Sequence, residues 1–142
     1  MVDTNLTGYF LVAKEVAPNL LKNNGGSIIN ISVTHETMRR RGFIPYGPSR
    51  AATESLSHIM AQDLASTPIT VNLLLPGGAT DTGMIPEEFP ASMRAQLLSP
   101  DVMAEPTVFL CSDEARNVND QRIVAKDFAL WKEDWRRSLK DA

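Results

Sequence analysis

Cysteine is almost missing from this chain: Cys111 stands alone among 142 residues, so no internal disulfide can form. Long apolar runs are missing as well. None approaches the ~20 residues that cross a bilayer, and the amino terminus has no signal-like pattern, so a reducing cytoplasm and non-membrane partners are expected. Concentrated charge of one sign is absent. Fourteen Lys and Arg against 17 Asp and Glu leave a net charge of −3, which excludes a polyelectrolyte and removes the basic face that nucleic acid requires. Metal and hydrolase patterns are lacking too. Only His35 and His58 are present, with no Cys pair, no His-x-x-x-His and no Gly-x-Ser-x-Gly, so no metal ligand set is expected. What is present, 43% apolar residues with eight Gly and nine Pro, is a globular composition. One domain over residues 1–142 follows, large enough to bury a core without staples.

The apolar periodicity divides this domain. Residues 3–23 carry Leu6, Phe10, Ala13, Val16, Ala17, Leu20 and Leu21 at helical spacing, with Asp3 or Thr4 as a cap and Pro18 predicting a kink. SIINIS at 27–32 reads as a buried strand, and polar residues 33–44 as a loop. A helix over 45–66 accepts Pro45 and Pro48 in its first turn and offers Ala52, Leu56, Ile59, Met60 and Leu64 as its buried stripe. A second strand at 69–75, a helix at 101–113 with Val108, Phe109 and Leu110 inward, and a strand at 122–125 follow. A tail helix at 127–139 repeats Phe128, Trp131, Trp135 and Leu139, a stripe expected to dock. This alternation is that of an open parallel α/β sheet of about three strands with helices on both faces. The arginines at 39–41 read as a solvated loop or as the border of a pocket for an anion.

Five segments carry a resemblance: VDTNLTGYF (2–10), SIINIS (27–32), YGPSR (46–50), ITVNLLLPGGATDTGM (69–84) and PDVMAEPTVFLCSDEA (100–115). In this order they resemble the carboxyl-terminal half of a short-chain dehydrogenase/reductase, a partial Rossmann-like doubly wound fold. The resemblance implies hydride exchange between NAD or NADP and an alcohol or carbonyl, using an Asn, Ser, Tyr, Lys tetrad. Asn5 matches the asparagine and Tyr46 the tyrosine that exchanges a proton with the substrate oxygen. Arg50 stands where lysine is usual, keeping the charge that favours a phenolate but changing its shape. Val33 falls at the serine position, leaving Thr34 or Ser32 to supply the substrate hydroxyl. Pro76, Gly77, Ala79, Thr80 and Thr82 match the family's contact with the nicotinamide end of the cofactor, which Tyr46 and Arg50 would also touch.

Several family parts have no counterpart in the sequence. The Gly-rich turn that cradles the pyrophosphate, the ribose-reading residue and the Asn-Asn-Ala-Gly segment would occupy an amino-terminal half. Binding of the cofactor by these residues alone is therefore not expected, nor is dehydrogenase activity. In the family's sheet order, SIINIS would be left as an open edge, to be covered by a separate amino-terminal half, a second copy or the tail. The resemblance also implies that helices 3–23 and 45–66 form a subunit interface, in a homo-oligomer or with a related dehydrogenase chain. A non-catalytic, dimerising module is the second expectation, motivated by Val33, Arg50 and the missing cradle. Asn119 and Asp120 replace a common glycine before the last strand, which predicts a loosened turn.

Overall fold

The computed structural model describes residues 1–140; the last two residues of the expected domain lie outside it. Three parallel strands, β1 (Gly26–Ile31), β2 (Ile69–Leu75) and β3 (Arg122–Val124), form one sheet in the order β1-β2-β3. Every residue of β2 is buried, as a central parallel strand requires. The helices, numbered in chain order, are α1 (Tyr9–Lys22), α2 (His35–Met38), α3 (Tyr46–Asp63), α4 (Ala91–Arg94), α5 (Ala104–Leu110) and α6 (Phe128–Ser138).

Alternation along β1 and β2 assigns the faces. Asn30 donates to Ser57 Oγ of α3 at 2.7 Å, so Asn30 and its neighbours Ile28, Val71 and Leu73 face α1 and α3. On the opposite face Leu74 and Ile123 pack with Phe109 and Leu110 of α5 and Phe128 of α6, with Ile29 against them. Asn72, on that face, is buried yet satisfied: it donates to the Val118 carbonyl at 2.7 Å and accepts from the Gln121 amide at 3.0 Å. Trp131 and Trp135 stack on one another and meet the Phe109 ring edge-on, so the tail docks on α5. Leu139, expected in that stripe, is exposed. No helix among the described residues is long and apolar enough to cross a membrane.

The structure corrects the sequence reading in five places. Residues Asp3–Gly8 wind as a π-helix ahead of α1, with no side-chain cap from Asp3 or Thr4, and α1 continues through Pro18 to Lys22. The loop after β1 contains α2, because Thr34 accepts from the Thr37 amide and caps it. The buried face of α3 is Gly47, Ser49, Thr53, Glu54, Ser57 and Ala61 rather than the expected apolar stripe, of which Ile59 is exposed. Small hydroxyl side chains let α3 approach the sheet closely while bonding their own helix, as Ser57 does to the Thr53 carbonyl at 2.7 Å. The expected helix at 101–113 is divided into a 3₁₀ turn at Pro100–Met103, α5 and a second 3₁₀ turn at Asp113–Ala115, and Val108 points outward. The turn at Asn119 and Asp120 is tied rather than loose. Asp120 takes φ +59°, and its carboxylate meets His58 Nδ1 at 2.6 Å and Gln62 Nε2 at 2.7 Å. Asn119 joins the Val71 amide to the Ala61 carbonyl.

Candidate active site

The π-wound start of the chain turns Asn5 inward, where its side chain donates to Ser49 Oγ at 3.0 Å and its carbonyl accepts from the Thr53 hydroxyl. Ser49 in turn donates to the Tyr46 carbonyl at 2.8 Å. Asn5 thus locks the opening turn of α3, and Tyr46 with it, to the opening of α1. One turn further, Arg50 donates through Nη1 to the Ile31 carbonyl at 2.9 Å and to the Tyr9 hydroxyl at 3.1 Å. Its guanidinium carbon lies 5.5 Å from the centre of the Tyr46 ring, which rests edge-on against Phe43. Asn5, Tyr46 and Arg50 therefore come together where the carboxyl end of β1 meets the amino end of α3.

The two hydroxyls beside Val33 do not join them. Ser32 is buried and donates to Glu54 Oε1 at 2.5 Å. The same oxygen accepts from Arg122 Nε at 2.9 Å, while Arg122 Nη2 holds the Val33 carbonyl at 2.9 Å and His35 Nε2 stands 3.4 Å from the other Glu54 oxygen. This charge cluster fastens the loop after β1 to α3 and β3. Thr34 is committed to Thr37, through both the amide and the hydroxyl. Glu54, Arg122, Ser49 and Tyr9 were not singled out from the sequence. The only signal for Glu54 is a carboxylate on a helix face otherwise made of small residues, and its partner lies 68 residues away.

Residues 76–82 leave the carboxyl end of β2, the same edge of the sheet. The Lys126 amide donates to the Pro76 carbonyl at 3.1 Å. Gly77 has φ +95°, and a Cβ there would lie 2.5 Å from Val124 Cγ1. Ala79 accepts from the Leu98 amide at 2.9 Å, and Thr80 forms a bridge with Leu98. Thr80 Oγ1 donates to the Gly78 carbonyl at 3.3 Å and Thr82 Oγ1 accepts from the Met84 amide at 3.4 Å. Among the described residues, no hydrogen bond links this segment to Tyr46 or Arg50.

Three observations test the fit of a nicotinamide dinucleotide. The close approach that Gly77 permits is filled by Val124 and Lys126 of this chain. The opening of α3 is closed by α2, since a Cβ on Gly47 would fall 2.1 Å from the Met38 carbonyl oxygen. Arg50 is turned onto the β1 carbonyl and Tyr9. Residues 1–140 therefore do not by themselves fit a whole dinucleotide, whose phosphates need open amides at a helix amino terminus. Of the arginines at 39–41, Arg39 lines a cleft of about 300 Å³ with His35, Gly47, Ala51 and Glu54. Arg40 pairs with Glu36 at 3.3 Å. No cluster of three or more His, Cys, Asp or Glu suited to a metal occurs among the described residues.

An open parallel α/β sheet flanked by helices, with Asn5, Tyr46 and Arg50 at its carboxyl edge, is of the Rossmann-like class. The sequence model of the short chain dehydrogenase family matches residues 1–92, and this chain belongs to that family. It is 33% identical over 125 residues to a short-chain type dehydrogenase/reductase of Picea abies, covering 82% of this chain and 46% of that protein. It is 32% identical over 132 residues to the 3-oxoacyl-(acyl-carrier-protein) reductase FabG of Thermotoga maritima, covering 87% and 53%. A short chain dehydrogenase from Salmonella enterica serovar Typhi superposes with a TM-score of 0.77 at 26% identity, over 87% of this chain and 51% of its own. The angucycline C-6 ketoreductase LanV, solved with bound NADP, gives 0.74 at 28% identity, over 88% and 51%. The chain spans about half the length of the relatives it matches.

Proposed function

We propose that these residues form the reaction-side half of an NAD(P)-dependent dehydrogenase acting on an alcohol/carbonyl pair, and that they are inactive without a dinucleotide-binding half. The observation that supports this most is the hydrogen-bonded run from Asn5 through Ser49 to Tyr46, with Arg50 over the tyrosine ring. In the completed domain the cofactor supplies or accepts the hydride. Tyr46 exchanges a proton with the substrate oxygen, with the Arg50 guanidinium 5.5 Å from the centre of its ring. Asn5 is a positioning residue that fixes the opening of α3 and supports the path by which the proton reaches solvent. Thr34 or Ser32 supplies the substrate hydroxyl only after leaving its present partner. Pro76, Gly77, Ala79, Thr80 and Thr82 form the wall toward the nicotinamide. Exposed apolar side chains on α1 and α3, Phe10, Leu11, Val12 and Ile59 among them, support assembly as a homo-oligomer or with a related chain. A cytoplasmic setting belongs to the same proposal and rests on the single thiol.

A second reading, a non-catalytic subunit, draws support from Val33 together with the engagement of both neighbouring hydroxyls. One experiment separates the two. The unmatched half of the T. maritima reductase is joined ahead of Met1, and NADPH oxidation is followed with a short 3-ketoester. The catalytic reading predicts turnover that Tyr46→Phe lowers by about 100-fold or more. Turnover that appears only in the Val33→Ser, Arg50→Lys double variant favours the non-catalytic reading.

A further inference from the structure

We propose that the cleft between α2 and α3 is a binding site for a small carboxylate that carries an apolar body and a hydroxyl group. The inference stands apart from the catalytic reading: the cleft walls lie within residues 35–54, and neither Tyr46 nor Arg50 lines them.

Helical geometry sets the walls. Gly47, Ala51 and Glu54 recur at spacings of four and three, so they form one stripe of α3. Each helical residue turns by about 100°, which puts Tyr46 and Arg50 on the neighbouring stripe. α2 crosses the cleft stripe closely, because Gly47 has no Cβ to strike the Met38 carbonyl. Beside this contact is a space of about 300 Å³, at the small end of ligand cavities, with Met38, Pro48 and Ala51 as its apolar wall.

Two polar groups give the cleft its chemistry. The Glu54 side chain is only 10% exposed, and its oxygens are unequally used. Oε1 accepts from Ser32 and from Arg122 Nε, whereas Oε2 has His35 Nε2 at 3.4 Å and, among the described residues, no hydrogen bond. A carboxylate oxygen with open lone pairs at a cavity wall suits a donor. Arg39 is the second group. Glu36 is taken by Arg40 at 3.3 Å, and among the described residues no carboxylate pairs with Arg39. The anion-pocket border expected of the arginine run is therefore Arg39, the one member that lines the cleft.

Charge balance selects the ligand. Glu54 and Arg122 offset one another, which leaves the Arg39 guanidinium over. A ligand that completes the cleft brings one negative charge for Arg39 and one neutral donor for Glu54 Oε2. A carboxylate and a hydroxyl meet both needs. An ammonium in place of the hydroxyl adds a positive charge near Arg39 and Arg122, and a plain fatty carboxylate leaves Oε2 without a partner.

The probe is leucic acid, a branched hydroxy acid, added to the full chain while the Met38, Arg39 and Ala51 amide resonances are followed. Saturable shifts with a midpoint of about 1 mM are expected. Isocaproate lacks the hydroxyl and isoamyl alcohol lacks the carboxylate, and each is expected to bind about tenfold or more weakly. Arg39→Ala is expected to bring leucic acid down to the level of the alcohol. Arg40→Ala, which removes an equal charge outside the cleft, leaves the midpoint unchanged. Ala51→Leu fills the cleft with a good helix former and is expected to remove the response with α3 intact. The chain carrying the T. maritima half ahead of Met1 gives the same readout. Equal affinity for leucic acid and isocaproate overturns the role of Glu54. No saturable shift, or an equal loss in Arg40→Ala and Arg39→Ala, overturns the site. None of these outcomes depends on turnover, so failure of the catalytic reading is scored separately.

Discussion

At the residue scale, a few long-range polar bonds decide where the site residues stand. Glu54 carries three of them, to Ser32, Arg122 and His35. Removing its carboxylate leaves Arg122 beside the sheet without its counter-charge and Ser32 buried without an acceptor. Glu54→Ala is expected to cost about 3 kcal/mol in urea unfolding, the lower range for breaking a buried ion pair. Asp120 makes a second case, because it occupies a left-handed conformation at φ +59°. Asp120→Val adds a β-branched side chain there and removes the bonds to His58 and Gln62, so a loss of about 2 kcal/mol is expected. Asp120→Gly relieves the backbone and should lose less, and equal losses in the two variants would contradict a role for the backbone. The same residues mark what the sequence could not show. Asn5, Tyr46 and Arg50 were singled out through the resemblance, Arg50 as a departure from its usual lysine, and the structure brings the three together. Glu54 and Arg122, 68 residues apart, have no local pattern that predicts their meeting.

At the element scale, periodicity located every strand, since β1, β2 and β3 are short apolar runs with clear ends. It misjudged the faces of α3. The expected apolar stripe is where the helix leaves partly exposed side chains, and the face that meets the sheet is small and hydroxylated. A hydrophobic scale does not see a helix that approaches closely by being thin. The opening of α1 failed for another reason. Its π-wound turn presents the Asn5 carbonyl to the Thr53 hydroxyl of α3, a contact 48 residues away that no local pattern announces. The tail was read correctly as docked, and its anchor is Phe109, whose ring meets Phe128, Trp131 and Trp135. Phe109→Ala is expected to cost about 3–5 kcal/mol and to erase the near-ultraviolet circular dichroism of the stacked tryptophans. Loss of stability with that signal intact would show that α6 docks independently of α5.

At the scale of the whole molecule, the sheet has a packed face and an open edge at β1. Three strands, two helical layers and a docked tail give a core, while β1 keeps an open edge beside an apolar hollow. Asn5, Tyr46 and Arg50 gather at the carboxyl end of this sheet. The close approaches its glycines allow are filled by Val124, Lys126 and Met38. We propose a division of labour in which Tyr46 exchanges the proton while these residues do not by themselves hold a dinucleotide. Fluorescence titration of the isolated chain with NADH and with NADPH tests it most directly. No saturable binding is expected below about 1 mM, the upper end of ordinary enzyme affinities, whereas the chain joined to the T. maritima half binds at micromolar concentration. Saturable micromolar binding by the 142 residues alone would contradict the account.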